Sequence, residues 1–258
     1  MNSVRALTWN IHGFLGQDGS FDPERVCRTI AGLAPDIAAI QEVVGPECGV
    51  DGAAVLRASM PGAEAIEANV ERRIEGIYGQ MLLSRLPVRH WTKVDISVER
   101  REPRRAIDAV VDAPGGAMRV ICTHLGLAGA ERRFQVGALC RLLDADPGID
   151  TLVLGDVNDW RRGGMSERCL APVLGAGTRH RTFPAAFPLF PLDRIWFRPS
   201  ARVIRTRVVR EAGLASDHLP VIADIGTPLR DQREAEEIAR SSQVSSVSEP
   251  TMASAGRV

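Results

Sequence analysis

Residues 1–226 predict a single α/β domain, followed by a polar tail over 227–258. Three observations carry that reading. Apolar runs of strand length alternate with longer stretches of helical spacing, and several of those runs end in a polar or ionisable residue. Pro114-Gly115-Gly116 marks a hairpin between two of the runs. A chain of 258 residues can bury one large core without dividing into further domains.

Taken in order, VRALTWN is a short apolar run that enters a strand at once. In DPERVCRTIAGLAP, Val26, Ile30 and Leu33 fall at helical spacing, Asp22 and Pro23 suit a cap and first turn, and Pro35 ends the run. DIAAIQEV is a second strand ending in polar residues, and GQMLLSRLPV, HWTKVDISV, AIDAVVDA and MRVICTHL read as four more. AGAERRFQVGALCRLLDA reads as a helix with Phe134, Leu139, Leu142 and Leu143 among its apolar positions. TLVLG, LDRIWF, RVIRTRVVR and PVIADIG complete the strands. This order alone leaves a doubly wound sheet open. Beyond Thr227, DQREAEEIAR suits a short surface helix, and the serine-rich remainder reads as a disordered, dispensable tail.

Composition narrows the function classes. Hydrophobic residues make up 45% and charged residues 25%, ordinary for a globular protein. No stretch approaches the roughly 20 apolar residues that span a bilayer, and MNSVRALTWN lacks an apolar leader core, so the chain reads as cytoplasmic. The 5 cysteines are scattered, with no CxxC pair, so neither a zinc cage nor a disulfide framework is suggested, and they read as reduced and buried. Basic and acidic residues balance at 32 each, and Lys93 is the sole lysine. A protein that tracks long nucleic acid draws affinity from a basic surplus, so phosphate binding here is expected to be local.

The strand ends supply the chemistry. Asn10 follows LTW, Glu42 follows DIAAIQ, His124 follows VICT, and Asp156 and Asn158 follow TLVLG; Asp193 opens a strand, and Asp217-His218 precedes the last one. Strand ends on one rim converge in space over a rigid floor. Each has a bland alternative. GDVND could be only an Asx-turn, His124 a core histidine, and Asp193 a surface ion pair with Arg194. Glu42, Asn10 and SDHLP could be simple strand ends or turns. Their joint occurrence in one chain points to a site. Among paired arginines, Arg105 and Arg181 border strand ends and suit bidentate phosphate contact. Trp160 follows the Asp-Asn-Asp run and could stack on a substrate or simply pack under the loop.

The ordered set TWNIHG, QEV, THL, GDVND, LDRIW and SDHLPV resembles the endonuclease/exonuclease/phosphatase superfamily over about residues 5–226, with the small bacterial metal-dependent hydrolases as the most similar branch. The resemblance implies a deoxyribonuclease I-like fold: two mixed β-sheets packed as a sandwich and flanked by helices, with the site at one end. It implies an Mg²⁺- or Mn²⁺-dependent phosphoesterase, chiefly a phosphodiesterase. Glu42, Asn10 and Asp217 would hold the cation. His218 oriented by Asp193, together with Asp156, Asn158 and His124, would act on water and phosphate, while Arg105, Arg181 and Trp160 would bind substrate. Which of Asp156 and His218 is the base stays open. Departures from the pattern are His124 where abasic-site endonucleases have Tyr, Gln80 where many members have Asn, and His12 where the DNA-repair branch has Asp. The substrate also stays open: nucleic acid, a phospholipid or lipid anchor, or a small phosphodiester. A non-catalytic phosphate-binding module is the reading from another class, and no protein partner is implied.

Overall fold

The computed structural model describes residues 3–45, 49–73, 76–199 and 202–227. Cys48, the helix expected at DQREAEEIAR and the serine-rich tail lie outside the described residues.

Among the described residues, eleven strands form two mixed sheets. The first contains β1 (Ser3–Asn10), β2 (Ile37–Val44), β3 (Glu64–Arg73), β4 (Gly76–Ser84), β10 (Val203–Val208) and β11 (Val221–Gly226), in the order β10-β11-β1-β2-β4-β3. The second contains β5 (Val88–Asp95), β6 (Arg105–Ala113), β7 (Gly116–His124), β8 (Asp150–Asp156) and β9 (Asp193–Arg198), in sequence order. Helices α1 (Pro23–Leu33) and α2 (Gly52–Ser59) cover the first sheet; α3 (Gly129–Ala145) and α4 (Met165–Leu174) cover the second. The architecture is therefore a four-layer sandwich, and the doubly wound alternative is excluded.

Strand parity explains the layers. Val4 and Ala6 of β1, Ile37 and Ala39 of β2, and Leu152 and Leu154 of β8 meet in the core between the sheets. Their neighbours of opposite parity, Leu7, Trp9, Ala38 and Ile40, pack under α1 and α2, while Val153 packs under α3 and α4. Strands buried on both faces carry continuous apolar runs rather than alternation, which is why they stood out in the sequence. Each fully buried large side chain contributes about 1.5–3 kcal/mol.

β1 pairs with β2 in parallel, and β7 with β8 in parallel. In the second pair, Thr123 faces Gly155 and His124 faces Asp156, so the THL and GDVND motifs end at the same height. β9 runs antiparallel to β8 and starts with Asp193 opposite Asp156. Thus the C-terminal ends of β1, β2, β7 and β8 and the N-terminal end of β9 share one rim. Pro114-Gly115 closes the β6–β7 hairpin, and the Asp22 side chain caps α1 by accepting from Arg25 N at 2.9 Å, as the sequence indicated. Helices α2 and α4 and strand β3 go beyond the elements read from sequence. Cys122 is buried, whereas Cys27, Cys140 and Cys169 are only half-buried; all four are free thiols.

Candidate active site

At this rim lies a cavity of about 450 Å³. Its wall includes Asn10, Glu42, Arg105, His124, Asp156, Asn158 and His218, seven of the residues expected from sequence.

The floor is an interlocked set. His218 Nδ1 sits 2.8 Å from Asp193 Oδ2, and both residues are buried. That hydrogen bond leaves His218 Nε2 facing Asp156 Oδ2 at 3.8 Å; His124 Nε2 approaches the same oxygen at 3.6 Å. Asn10 Nδ2 donates both to Asp156 Oδ2 at 3.1 Å and to Glu42 Oε1 at 2.9 Å. One amide nitrogen therefore anchors two carboxylates from different sheets. Arg194 does not pair with Asp193. Strand alternation sends it to the opposite face of β9, where it is buried with its guanidinium 4.8 Å from the Trp196 ring.

Burial sets the protonation states in opposite directions. Desolvation is the main cause that lifts Asp156 above the usual carboxylate range, to about 6; the His218 imidazolium, Asn10 and the Asn158 backbone oppose it, and Asp193 adds to it. For His218, burial alone favours the neutral ring, but Asp193, Asp156 and Asp217 outweigh it and raise the imidazolium to about 10. The pair titrates as a coupled unit. At neutral pH the floor holds a cationic ring between carboxylates.

Two wall residues, Glu42 and Asn158, and the neighbouring His12 owe their aim to unusual backbone. Glu42 (φ 57) forms a bulge in β2 where the register against β4 slips between Gln41 and Val43. Asn158 (φ 50) follows the end of β8; its N–H donates to Asp156 Oδ1 at 3.0 Å and its Nδ2 to the Leu125 carbonyl at 2.9 Å. GDVND is thus an Asx-type turn and part of the cavity wall at once. His12 (φ 47) donates its N–H to Asn10 Oδ1 at 3.0 Å. Non-glycine residues in this region cost of order 1–3 kcal/mol each and cluster where function holds them. Asp159 turns away and accepts from Ser166 N at 2.9 Å at the start of α4, which caps the loop.

Sequence reasoning missed the supports of His218. The Trp9 indole donates to the His218 carbonyl at 2.9 Å, and Ser216 Oγ bridges the Asn10 carbonyl at 2.8 Å and the His218 N–H at 3.1 Å. The Phe183 ring lies 4.8 Å from the imidazole. Trp9 read only as core and Ser216 only as a turn, because the contacts Trp9–His218 and Ser216–Asn10 join positions more than 200 apart. Gln80 also reaches the cavity, where its amide donates to the Arg105 carbonyl and its oxygen accepts from Cys122 Sγ at 3.2 Å. Arg104, passed over in favour of its neighbour, joins the wall with its fork held bidentately by Glu102 at 2.9 and 3.0 Å.

Four expected residues stand outside the wall, one of them Asp193, buried behind His218 at the floor. Asp217 lies behind the loop, 3.8 Å from His12 Nδ1, and acts on His218 through its field. Arg181 is exposed, because its neighbour Thr182 is fully buried and bonded to Phe190, which turns the preceding side chain outward. Trp160 is also exposed, packing on Phe190 with ring centroids 5.3 Å apart and lying under Arg161.

The donors of Asp156, Asp193 and His218 lie within 4.8 Å of one another. They do not make a good chelate, since the ring spends Nδ1 on Asp193 and is cationic. Glu42 and Asn10 fit a hard cation better. Their donors are oxygen, and Glu42 has no basic partner among the described residues.

Residues 7–218 match the Endonuclease/Exonuclease/phosphatase family. The chain belongs to this family. Family members are in general phosphoester hydrolases. The YbhP protein of Escherichia coli K12 is 32% identical over 244 residues, covering 86% of this chain and 96% of YbhP. An endonuclease/exonuclease/phosphatase protein of Beutenbergia cavernae superposes with a TM-score of 0.71 at 22% identity, covering 88% of this chain and 72% of its own. Danio rerio TDP2 complexed with a single-strand DNA product gives 0.65 at 15% identity, covering 88% and 100%. These two likenesses show the family's fold.

Proposed function

We propose that the protein is a divalent-cation-dependent phosphodiesterase that breaks a P–O bond by attack of water. The observation that carries this reading is the buried Asp193–His218 couple facing Asp156 across the cavity floor. Asp193 fixes the ring orientation and stabilises the imidazolium, which presents Nε2–H to a phosphoryl oxygen as negative charge develops. Asp156, held near its titration point by burial, accepts the proton of the attacking water. Asn158 positions the phosphate, and His124 stands where the leaving oxygen departs. Glu42 and Asn10 would hold Mg²⁺ or Mn²⁺, which when bound polarises the phosphoryl oxygen.

Hydrolysis of bis-p-nitrophenyl phosphate with Mg²⁺, with Mn²⁺ and with EDTA tests the reading. Turnover should collapse in EDTA, and Asp156→Asn should lower kcat by about 10²-fold. Full turnover without metal would sink it.

The cavity volume and the zero net charge favour a compact phosphodiester headgroup over duplex DNA. Nicking of supercoiled plasmid at low salt would reverse that preference. Arg104 is proposed to fix the group beyond the scissile bond. Its replacement by methionine should raise KM by about tenfold, the worth of one charged hydrogen bond, with kcat little changed. A fall in kcat at constant KM would place Arg104 in the chemistry instead.

A further inference from the structure

Five of the ten large apolar side chains exposed among the described residues lie on the loops around the cavity mouth. Leu127, on the loop after β7, lines the cavity and is 75% exposed. Phe187 (71% exposed) and Leu189 project from the segment whose base, Phe183 and Leu192, forms the opposite wall. Trp160 packs against Phe190 of that segment. The belt continues to Leu214, 63% exposed, because the Ala185 N–H bonds the Asp217 carbonyl at 2.7 Å and joins the two loops. Side chains of this size left in water are costly, and a cluster of them marks a contact surface.

The charges beside the belt identify what covers it. Arg161, Arg162 and Arg181 are exposed and make no ion pair among the described residues. The Arg161 guanidinium sits 5.5 Å from the Trp160 ring. Arginine beside tryptophan, with leucine and phenylalanine projecting past them, matches the headgroup and acyl layers of a membrane in that order. Each unpaired arginine near an anionic leaflet adds about 1 kcal/mol of attraction. Aliphatic tips such as Leu127 and Leu189 gain nothing from stacking on bases. The apolar contacts come one or two at a time from separate loops around a polar cavity, a form that suits a planar surface.

From this we infer that the rim of the cavity is a docking surface for an anionic phospholipid bilayer, with Phe187, Leu189 and Leu127 entering the acyl boundary and Arg161, Arg162 and Arg181 meeting lipid phosphates. Docking in this orientation puts the cavity mouth against the headgroups. The consequence that the scissile phosphodiester is presented from the bilayer rests on the hydrolytic reading above; the docking itself does not.

The test is vesicle flotation of the full chain at low and moderate salt, using pure phosphatidylcholine and equal parts phosphatidylcholine and phosphatidylglycerol. Wild type should float with the anionic vesicles and lose that binding as salt rises. The double substitution Phe187→Ser with Leu189→Ser should weaken partition by about tenfold or more. It should leave bis-p-nitrophenyl phosphate turnover and the thermal midpoint unchanged, since both side chains are exposed. Arg162→Glu should lower partition only for the anionic vesicles. Absence of binding to anionic vesicles, or equal binding by the double variant, overturns the inference. A single-stranded oligonucleotide that binds through Phe187 and Leu189 while vesicles do not would assign the rim to nucleic acid, and also overturns it. Failure of wild type to hydrolyse the soluble diester bears only on the hydrolytic reading, because flotation needs no turnover.

Discussion

Asp193→Asn is expected to lower kcat on bis-p-nitrophenyl phosphate by roughly 10³- to 10⁴-fold with KM little changed, the scale seen when the carboxylate behind a catalytic imidazole is neutralised. The substitution keeps size and one hydrogen-bonding oxygen but removes the charge. Buried at the floor, His218 then loses the partner that most opposes its desolvation. The ring pKa therefore falls from its raised value, and the ring becomes neutral at a lower pH. In activity, the alkaline limb of the pH profile should move to lower pH, and the variant should recover part of its rate under mildly acidic conditions. In stability, the sign follows from the same shift. A histidine whose folded pKa lies above 6.5 adds stability that is complete below that pH and disappears as pH rises toward about 10. The wild-type thermal midpoint in EDTA should therefore decline across that interval, and the Asp193→Asn midpoint should decline less. Unchanged kcat, or an alkaline limb that stays in place, would remove Asp193 and His218 from the mechanism.

What the sequence could and could not reveal follows from the range of each interaction. Strands buried on both faces announce themselves by composition, so β1, β2, β7 and β8 were legible, and with them the polar residues at their ends. The partly exposed β3, interrupted by Glu64, Glu67 and Glu71, lacks such a run and was missed. Phe134 sat among the apolar positions read for α3 yet is exposed, while Val136, Leu139 and Leu143 face the sheet. Order of motifs gave Asp156, Asn158, Asp193 and His218 their common rim. It could not give the αL backbone at Glu42 and Asn158, because neither is glycine and the conformation is imposed by a bulge and a turn. Strand alternation continued past TLVLG would put Asp156 and Asn158 on one side. The strand in fact ends at Asp156, and the left-handed turn brings Asn158 back to the cavity. Arg181 was misplaced for a related reason: nearness to a motif along the chain says nothing about parity, and the buried Thr182 decides it. Arg104 needed Glu102 folded against it before its fork could be seen to face the cavity.

Gly155, just before the GDVND turn, is the more demanding position for folding. Gly155→Ala is expected to destabilise the protein by about 3–5 kcal/mol, combining a backbone penalty with overpacking. Gly155 has φ 151, a conformation that L side chains rarely adopt, and a Cβ built there would stand 1.8 Å from the Thr123 carbonyl oxygen. That oxygen belongs to backbone in the partner strand β7, so no rotamer change relieves the overlap; the parallel β7–β8 pair must part. Parting moves His124 and Asp156 together, since they are the next pair in register. A loss of this size removes a large share of the 5–15 kcal/mol that holds an ordinary domain. Urea unfolding followed by tryptophan fluorescence measures it, with Gly163→Ala as the control. Gly163 has φ 61 but open space around a Cβ, so only the backbone cost of about 1 kcal/mol applies there. If Gly155→Ala yields no folded protein while Gly163→Ala does, the overlap argument holds in its strongest form. If the two variants unfold within about 1 kcal/mol of each other, the close approach of β7 and β8 at this position is wrong, and with it the shared height of His124 and Asp156 on which the cavity floor depends.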